Sequence, residues 1–293
     1  MTTVAALATP DELVGRLFAS LVGAFDLFAI YLGDQLGYYR SLATEGPATS
    51  SQLASRTSTA ERYAREWLEQ QAVTGLLAVD DAHRAATERV FSLPLGYDEI
   101  FVNPESPMTM TAAAQIFVGT VKPLPAVLEA FRSGGGVPYE DYGPDLAHGQ
   151  ANFNRPMFVH RLAQEYIPAM PDLHARLLAD PPARVADIGM GLGWSSIALA
   201  KGYPTIRVDG FDLDALSVEL ANTNAEAEGV RDRVTFSVRD AGDAEFAGTY
   251  DFALAIECIH DMSDPVSVLR TMRRLVGTGG TALVVDELSL IHI

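Results

Sequence analysis

From Ala183 onward the sequence changes its period, and that change restricts the fold more than any other feature. Short apolar runs at 185–188, 206–211, 234–238, 252–256 and 282–285 alternate with helical stretches at 195–201, 215–228 and 265–276. Runs this short and this apolar read as strands covered on both faces. Strands that alternate with helices build a parallel sheet between helical layers. The expected class is α/β, with a helical region in front.

That front region follows another pattern. A loop at 46–50 ends in a helix N-cap, and a short helix is expected at 51–55. After a turn at 57–59, a longer helix from Ala60 to about Val73 carries Tyr63, Trp67 and Leu68 on one face, and Gly75 stops it. Runs at 76–79 and 90–93 read as a small hairpin. Helix, turn, helix and hairpin make the winged-helix pattern. Its second helix sets Arg62 and Arg65 against Glu61, Glu66 and Glu69, and the whole chain has 21 basic and 38 acidic residues, a net charge of −17. Such a surface repels phosphates, so DNA is not an expected partner and the module reads as a structural or dimerisation unit.

Ahead of it, Leu17 to Leu32 is apolar around nearly the whole helix circumference. Asp26 interrupts it, no basic cluster precedes it, and its 16 residues fall short of the roughly 18–20 a membrane span requires. The expectation is an interface helix, buried between domains or between the subunits of a homodimer, and no membrane contact. With 48% hydrophobic and 20% charged residues the chain is globular. A single cysteine, Cys258, permits no internal disulfide and no Cys-rich zinc site, and no metal ligand set is read. The starting class is a soluble cytoplasmic protein.

Residues 96–178 hold a flexible turn from Ser133 to Tyr139, a helix expected from Phe153 to Glu165, and Pro168, Pro171, Pro181 and Pro182 on the way into the sheet. Their Tyr, Phe and Met residues suit either an organic-substrate lining or simple interdomain core. The organisation expected is 1–95, winged-helix-like; 96–178, helical linker and substrate lid; and 179–293, the sheet domain.

The chemistry gathers where strands end. The first strand runs into Asp187-Ile188-Gly189-Met190-Gly191-Leu192-Gly193-Trp194. A glycine-rich turn between strand and helix lets a ligand approach the backbone at the carboxyl edge of the sheet. The dinucleotide fingerprint needs a third small residue where this chain has Trp194, and an acid two residues before the first glycine suits an ammonium group better than a phosphate. The second strand ends in Asp212 and Leu213, placing a carboxylate to accept ribose hydroxyls, which does not by itself separate NAD from other adenosine ligands. The third ends in Asp240 and Ala241, where a carboxylate can accept from an exocyclic amine.

Taken together, Asp187-x-Gly189-x-Gly191-x-Gly193, Gly210-Phe211-Asp212, Asp240-Ala241 and the loop Gly277-Thr278-Gly279-Gly280 resemble the class I S-adenosylmethionine-dependent methyltransferases. With the front module the chain is similar, over about residues 10–287, to winged-helix-bearing bacterial small-molecule methyltransferases. The resemblance implies a Rossmann-like sheet, S-adenosyl-L-methionine as cofactor, the glycine turn around its methionine part, Asp212 on the ribose, and Asp240 with Ala241 at the adenine. Leu213 and Glu257 are counted with the same site.

The fourth strand leads into Glu257-Cys258-Ile259-His260-Asp261-Met262, beside the expected position of the methyl group. No Asn-Pro-Pro-Tyr motif and no Pro-Cys pair stands here, which leaves O-, C- or N-methylation of a small molecule, with O-methylation favoured. His260 is the candidate general base, its alternative being a capping role with Asp261. Relatives continue past the fifth strand to seven strands, whereas little follows Val285 here. The last two strands are therefore expected to be missing, the 282–285 strand to have an open edge beside apolar Leu288, Leu290, Ile291 and Ile293, and the protein to aggregate or turn over poorly. Two other functions compete: a winged-helix regulator with a ligand-sensing, degenerate methyltransferase domain, and an NAD(P)-dependent oxidoreductase.

Overall fold

The computed structural model describes residues 7–286, and the chain divides into two compact units, Met1–Leu124 and Pro125–Ile293. The division falls inside the expected 96–178 linker, which the two units share. Residues 287–293, on which the expectations for the chain end rest, lie outside the described residues.

In the first unit, α1 (Pro10–Gln35) is followed by α2 (Tyr38–Thr44), α3 (Ser50–Thr57), α4 (Glu61–Val73), the hairpin β1 (Ala78–Val79) and β2 (Phe91–Ser92), α5 (Asp98–Phe101) and α6 (Thr111–Val121). Capping boxes start α1 at Thr9 with Glu12 and α3 at Thr49 with Gln52. The winged-helix pattern is present, with a shorter wing than expected: Ala78 pairs with Ser92 and Val79 with Phe91. Tyr38, Tyr39, Trp67 and Phe101 form its aromatic centre. Both arginines of α4 are paired on their own helix, Arg62 with Glu66 at 2.6 Å and Arg65 with Glu61 at 3.6 Å.

Helix α1 corrects the length argument. It runs 26 residues, and its length and composition are sufficient for crossing a membrane. The apolar run measured 16 because the helix continues into the polar segments around Asp11 and Asp34. It is tied to α4 by Trp67 Nε1, which donates to the Ala29 carbonyl at 2.8 Å, and by Gln70 Nε2, which donates to Asp26 at 2.8 Å. Among the described residues its outer face is exposed: Val14, Phe18 and Phe25 are 66%, 65% and 61% exposed.

The second unit begins with α7 (Leu124–Ser133), a 3₁₀ turn at Tyr139–Tyr142, and α8 (Pro144–Met157). The expected helix at 153–165 starts earlier because Pro144 can take the first helical position behind Gly143. Within it, Pro156 lacks the N–H that an α-ladder needs, and the chain continues as a π-helix over Phe158–Tyr166 before α9 (Pro171–Leu178). The sheet follows as β3 (Arg184–Ile188), α10 (Trp194–Gly202), β4 (Arg207–Asp212), α11 (Ala215–Ala227), β5 (Val234–Val238), β6 (Phe252–Ile256), α12 (Pro265–Val276) and β7 (Thr281–Val285). All four strand pairings are parallel, in the order β5-β4-β3-β6-β7. Every residue of β6 is buried, and apolar clusters line both faces of the sheet. The five expected strands and three expected helices are all present in this Rossmann-like domain.

Candidate active site

The strand order reverses direction from β3, so a crevice opens outside the carboxyl ends of β3, β4 and β6. The turn 189–193 lies there. Gly189 N–H donates to the Phe211 carbonyl at 2.8 Å and Gly193 N–H to that of Met190 at 2.9 Å, closing the turn against β4. Gly191 has φ +52°, and a Cβ built on it would enter open space, so its backbone faces the crevice bare. Gly193 is needed for another reason: at φ +82° its Cβ would stand 2.6 Å from the Phe236 ring. Asn224 Nδ2, donating to the Leu192 carbonyl at 3.0 Å, holds the turn from α11.

Asp212 belongs to this turn. It accepts from Gly191 N–H at 2.9 Å and from Asp214 N–H at 3.0 Å, which leaves lone pairs on both oxygens for further donors. Burial pushes its pKa up, against the lowering effect of those backbone bonds. Leu213, beside it, is 68% exposed. Asp240 accepts from Gly242 N–H at 2.7 Å and is exposed, while Ala241 is buried near Phe211 and Phe246. Asp187 is placed differently from the other acids. It is 1% exposed and accepts from Ser195 Oγ at 2.6 Å and Ser196 Oγ at 2.7 Å. Burial raises its pKa to about 6. It anchors the head of α10 from beneath the turn.

At the end of β6, Glu257 adopts φ +53°, a left-handed conformation that costs a residue with a Cβ about 1 kcal/mol or more. Its N–H donates to the Val285 carbonyl at 2.8 Å. The Cys258 thiol turns inward to the Ile188 carbonyl at 3.3 Å, and burial pushes its pKa up, so it is no nucleophile. His260 is exposed. Its Nδ1 hydrogen-bonds the Asp286 carboxylate, its backbone N–H donates to the same carboxylate at 3.1 Å, and its Nε2 lies 3.5 Å from Asp261. The hydrogen bond to Asp286 raises the His260 pKa, with the charges of Asp261, Asp286 and Glu257 adding and desolvation opposing.

Two residues of this site escaped sequence reading. Asp286 is an acid directly after a strand, the same signal that marked 212 and 240, at a position treated as part of the chain end. Tyr139 ends the glycine-rich turn. Its hydroxyl donates to Gln150 Oε1 at 2.8 Å, and partial burial, with the charges of Asp212, Asp214 and Asp261 adding, drives its phenol pKa upward.

Known proteins share this plan. Residues 185–280 match a family described as a methyltransferase domain, and residues 24–95 one described as an Rv2258c-like winged HTH domain. Ajmaline N-methyltransferase of Rauvolfia serpentina is 31% identical over 107 residues, 36% of this chain. The match spans 36% of that relative's length. Among solved structures, the mitomycin 7-O-methyltransferase MmcR aligns with a TM-score of 0.70 at 20% identity, over 95% of this chain and 81% of that one. Human N-acetylserotonin methyltransferase in complex with SAM aligns with a TM-score of 0.61 at 17% identity, over 95% and 81%.

Proposed function

We propose that this chain, a methyltransferase domain of the class I S-adenosylmethionine-dependent fold preceded by a winged helix-turn-helix domain, methylates a small organic molecule, at oxygen in the first instance. The observation that carries the reading is the Gly191–Asp212 pair: a bare backbone turn bonded to a carboxylate with spare lone pairs, at the switch point of a parallel sheet. An adenosine ligand fits this donor set, since Asp212 takes ribose hydroxyls and exposed Leu213 and Asp240 offer an apolar and a polar contact to the base. Asp187 positions the turn through Ser195 and Ser196.

S-adenosyl-L-methionine, when bound, supplies a methyl group on a positively charged sulfur. The chain's own residues do the rest. Glu257, Asp261 and Asp286 keep the transfer end acidic, which suits that charge. Asp286 accepts the hydrogen bond from Nδ1–H of His260 and fixes the tautomer, so that Nε2 accepts the proton of an acceptor hydroxyl. Alignment of acceptor and donor supplies much of the rate.

Calorimetry with S-adenosylhomocysteine tests the reading. Binding is expected in the wild type and lost, by at least a hundredfold, in Asp212→Ala and Gly191→Val. Unchanged affinity in both variants, or preferential binding of NAD or NADP, overturns it.

The protein is further proposed to be a soluble cytoplasmic homodimer, with the exposed face of α1 as the contact. Apolar exposure on this scale along one helix is what a subunit interface covers. Light scattering at micromolar concentration should give twice the chain mass, and a monodisperse monomer would refute the assignment.

A further inference from the structure

Glu257, His260 and Asp286 each offer one donor atom, and the three donors lie within 4.8 Å of one another. They come from two neighbouring strand ends, β6 and β7, joined by the backbone bond from Glu257 N–H to the Val285 carbonyl. The geometry points to a binding site for a divalent transition-metal ion of the zinc or nickel type, made by these three side chains.

Four features support it. One imidazole nitrogen and two carboxylate oxygens form a borderline ligand set, which favours zinc, nickel or cobalt over magnesium or calcium. Bonds of about 2.0–2.2 Å put donors of one ion up to roughly 4 Å apart, so side-chain rotation is what closes the shell. The backbone scaffold is fixed: Glu257 is locked at φ +53°, and the His260 backbone N–H is bonded to Asp286. Exposure of His260 leaves coordination positions for water, with Asp261 close by. Cys258 stays out of the set because its thiol is turned to the Ile188 carbonyl.

The ion takes the place of the proton on His260 Nδ1. Binding therefore releases a proton to the buffer and weakens as pH falls. It also draws the imidazole away from base chemistry, so occupancy inhibits methyl transfer. That last consequence rests on the function proposed above; the binding itself does not.

The test is calorimetric titration of the chelator-treated full chain with zinc chloride, nickel chloride and magnesium chloride, in two buffers of different ionisation enthalpy. Expected are one zinc or nickel ion per chain, at least tenfold weaker binding of magnesium, proton release, and a tenfold or greater loss in each of His260→Ala, Asp286→Asn and Glu257→Gln. Thermal melts confirm that the variants fold, and cobalt(II) absorbance in the visible reports the coordination. Absent zinc binding in the wild type, or zinc affinity unchanged in His260→Ala and Asp286→Asn, overturns the site. S-adenosylhomocysteine titrated into the same wild-type sample separates the two ideas, since its failure to bind would count against the methyltransferase reading alone.

Discussion

The two edges of the parallel sheet use the same residue type in opposite ways. Toward the amino ends of the strands, Asp209 accepts from Arg184 Nη2 at 2.8 Å, Thr235 Oγ1 at 2.5 Å and Tyr250 Oη at 3.1 Å. Asp251 there takes Arg176 Nε at 2.9 Å and the Arg184 N–H at 2.8 Å. Toward the carboxyl ends, Asp187 is met by two serine hydroxyls, and Asp212 and Asp240 by backbone N–H groups. Arginine balances one edge. The other keeps its negative charge, at the cost of raised pKa values for Asp187 and Asp212. The less balanced edge is the one at which the cationic cofactor is proposed to bind, and the balanced edge ties strands together.

The sharpest way to break that contrast is at His260. Its replacement by alanine should lower turnover, read as S-adenosylhomocysteine release, by about 10²–10⁴-fold, the range for loss of a general base. The melting temperature should stay nearly constant, because an exposed imidazole adds little to the core. Retained turnover would return His260 to a capping role.

Asp209 should behave in the reverse sense. Alanine there removes the acceptor of a half-exposed guanidinium and two hydroxyls, at a cost of about 1 kcal/mol. Denaturant unfolding should show the loss, and S-adenosylhomocysteine affinity should not move. A drop in affinity without a loss of stability would erase the distinction between the edges.

How much of this the sequence foretold depends on the range of the interactions involved. The strands were legible because each holds a short apolar run, a property of four to six neighbouring residues. Asp212 and Asp240 were legible because they follow such runs. The pairing of Asp187 with Ser195 and Ser196 was not, since eight or nine residues and a tight turn separate them. Nor was the partnership of His260 with Asp286, which only the adjacency of β6 and β7 creates. Helix α1 was misjudged in length because hydropathy marks where apolar residues stop, while Thr9 and Glu12 set where the helix begins. The start of α8 was missed because Pro144 reads as punctuation in sequence and serves as a helix start in space.

Asp187→Asn gives a pH-dependent effect. A carboxyl group titrating near 6 in the fold, against about 3.9 unfolded, binds more protons folded than unfolded between those values. Wild-type stability from this group is therefore greatest below about pH 4, falls as pH rises to 6 and is flat above. Asparagine lacks that penalty and can still accept from both serines. The variant should match the wild type near pH 4 and exceed it at pH 7 by up to about 3 kcal/mol. Melts across this range that run parallel would remove Asp187 from the unbalanced edge.

The smallest expected effect separates the two partners of His260. The imidazole is a base only when neutral, and its pKa is raised first of all by the hydrogen bond to Asp286. The acid limb of kcat/KM should therefore lie above the ordinary histidine value of about 6.5. Asp286→Asn keeps an acceptor for Nδ1–H but removes the charge, so the limb should move to lower pH by less than about one unit, with a modest fall in kcat as the base weakens. Asp261→Asn should move it in the same direction by less, because Asp261 acts on Nε2 by charge at 3.5 Å. The order of the two shifts is what matters. A larger shift from Asp261 would mean that Nε2 donates to Asp261 in the resting protein, and the nitrogen assigned to the acceptor's proton would have to be Nδ1 instead.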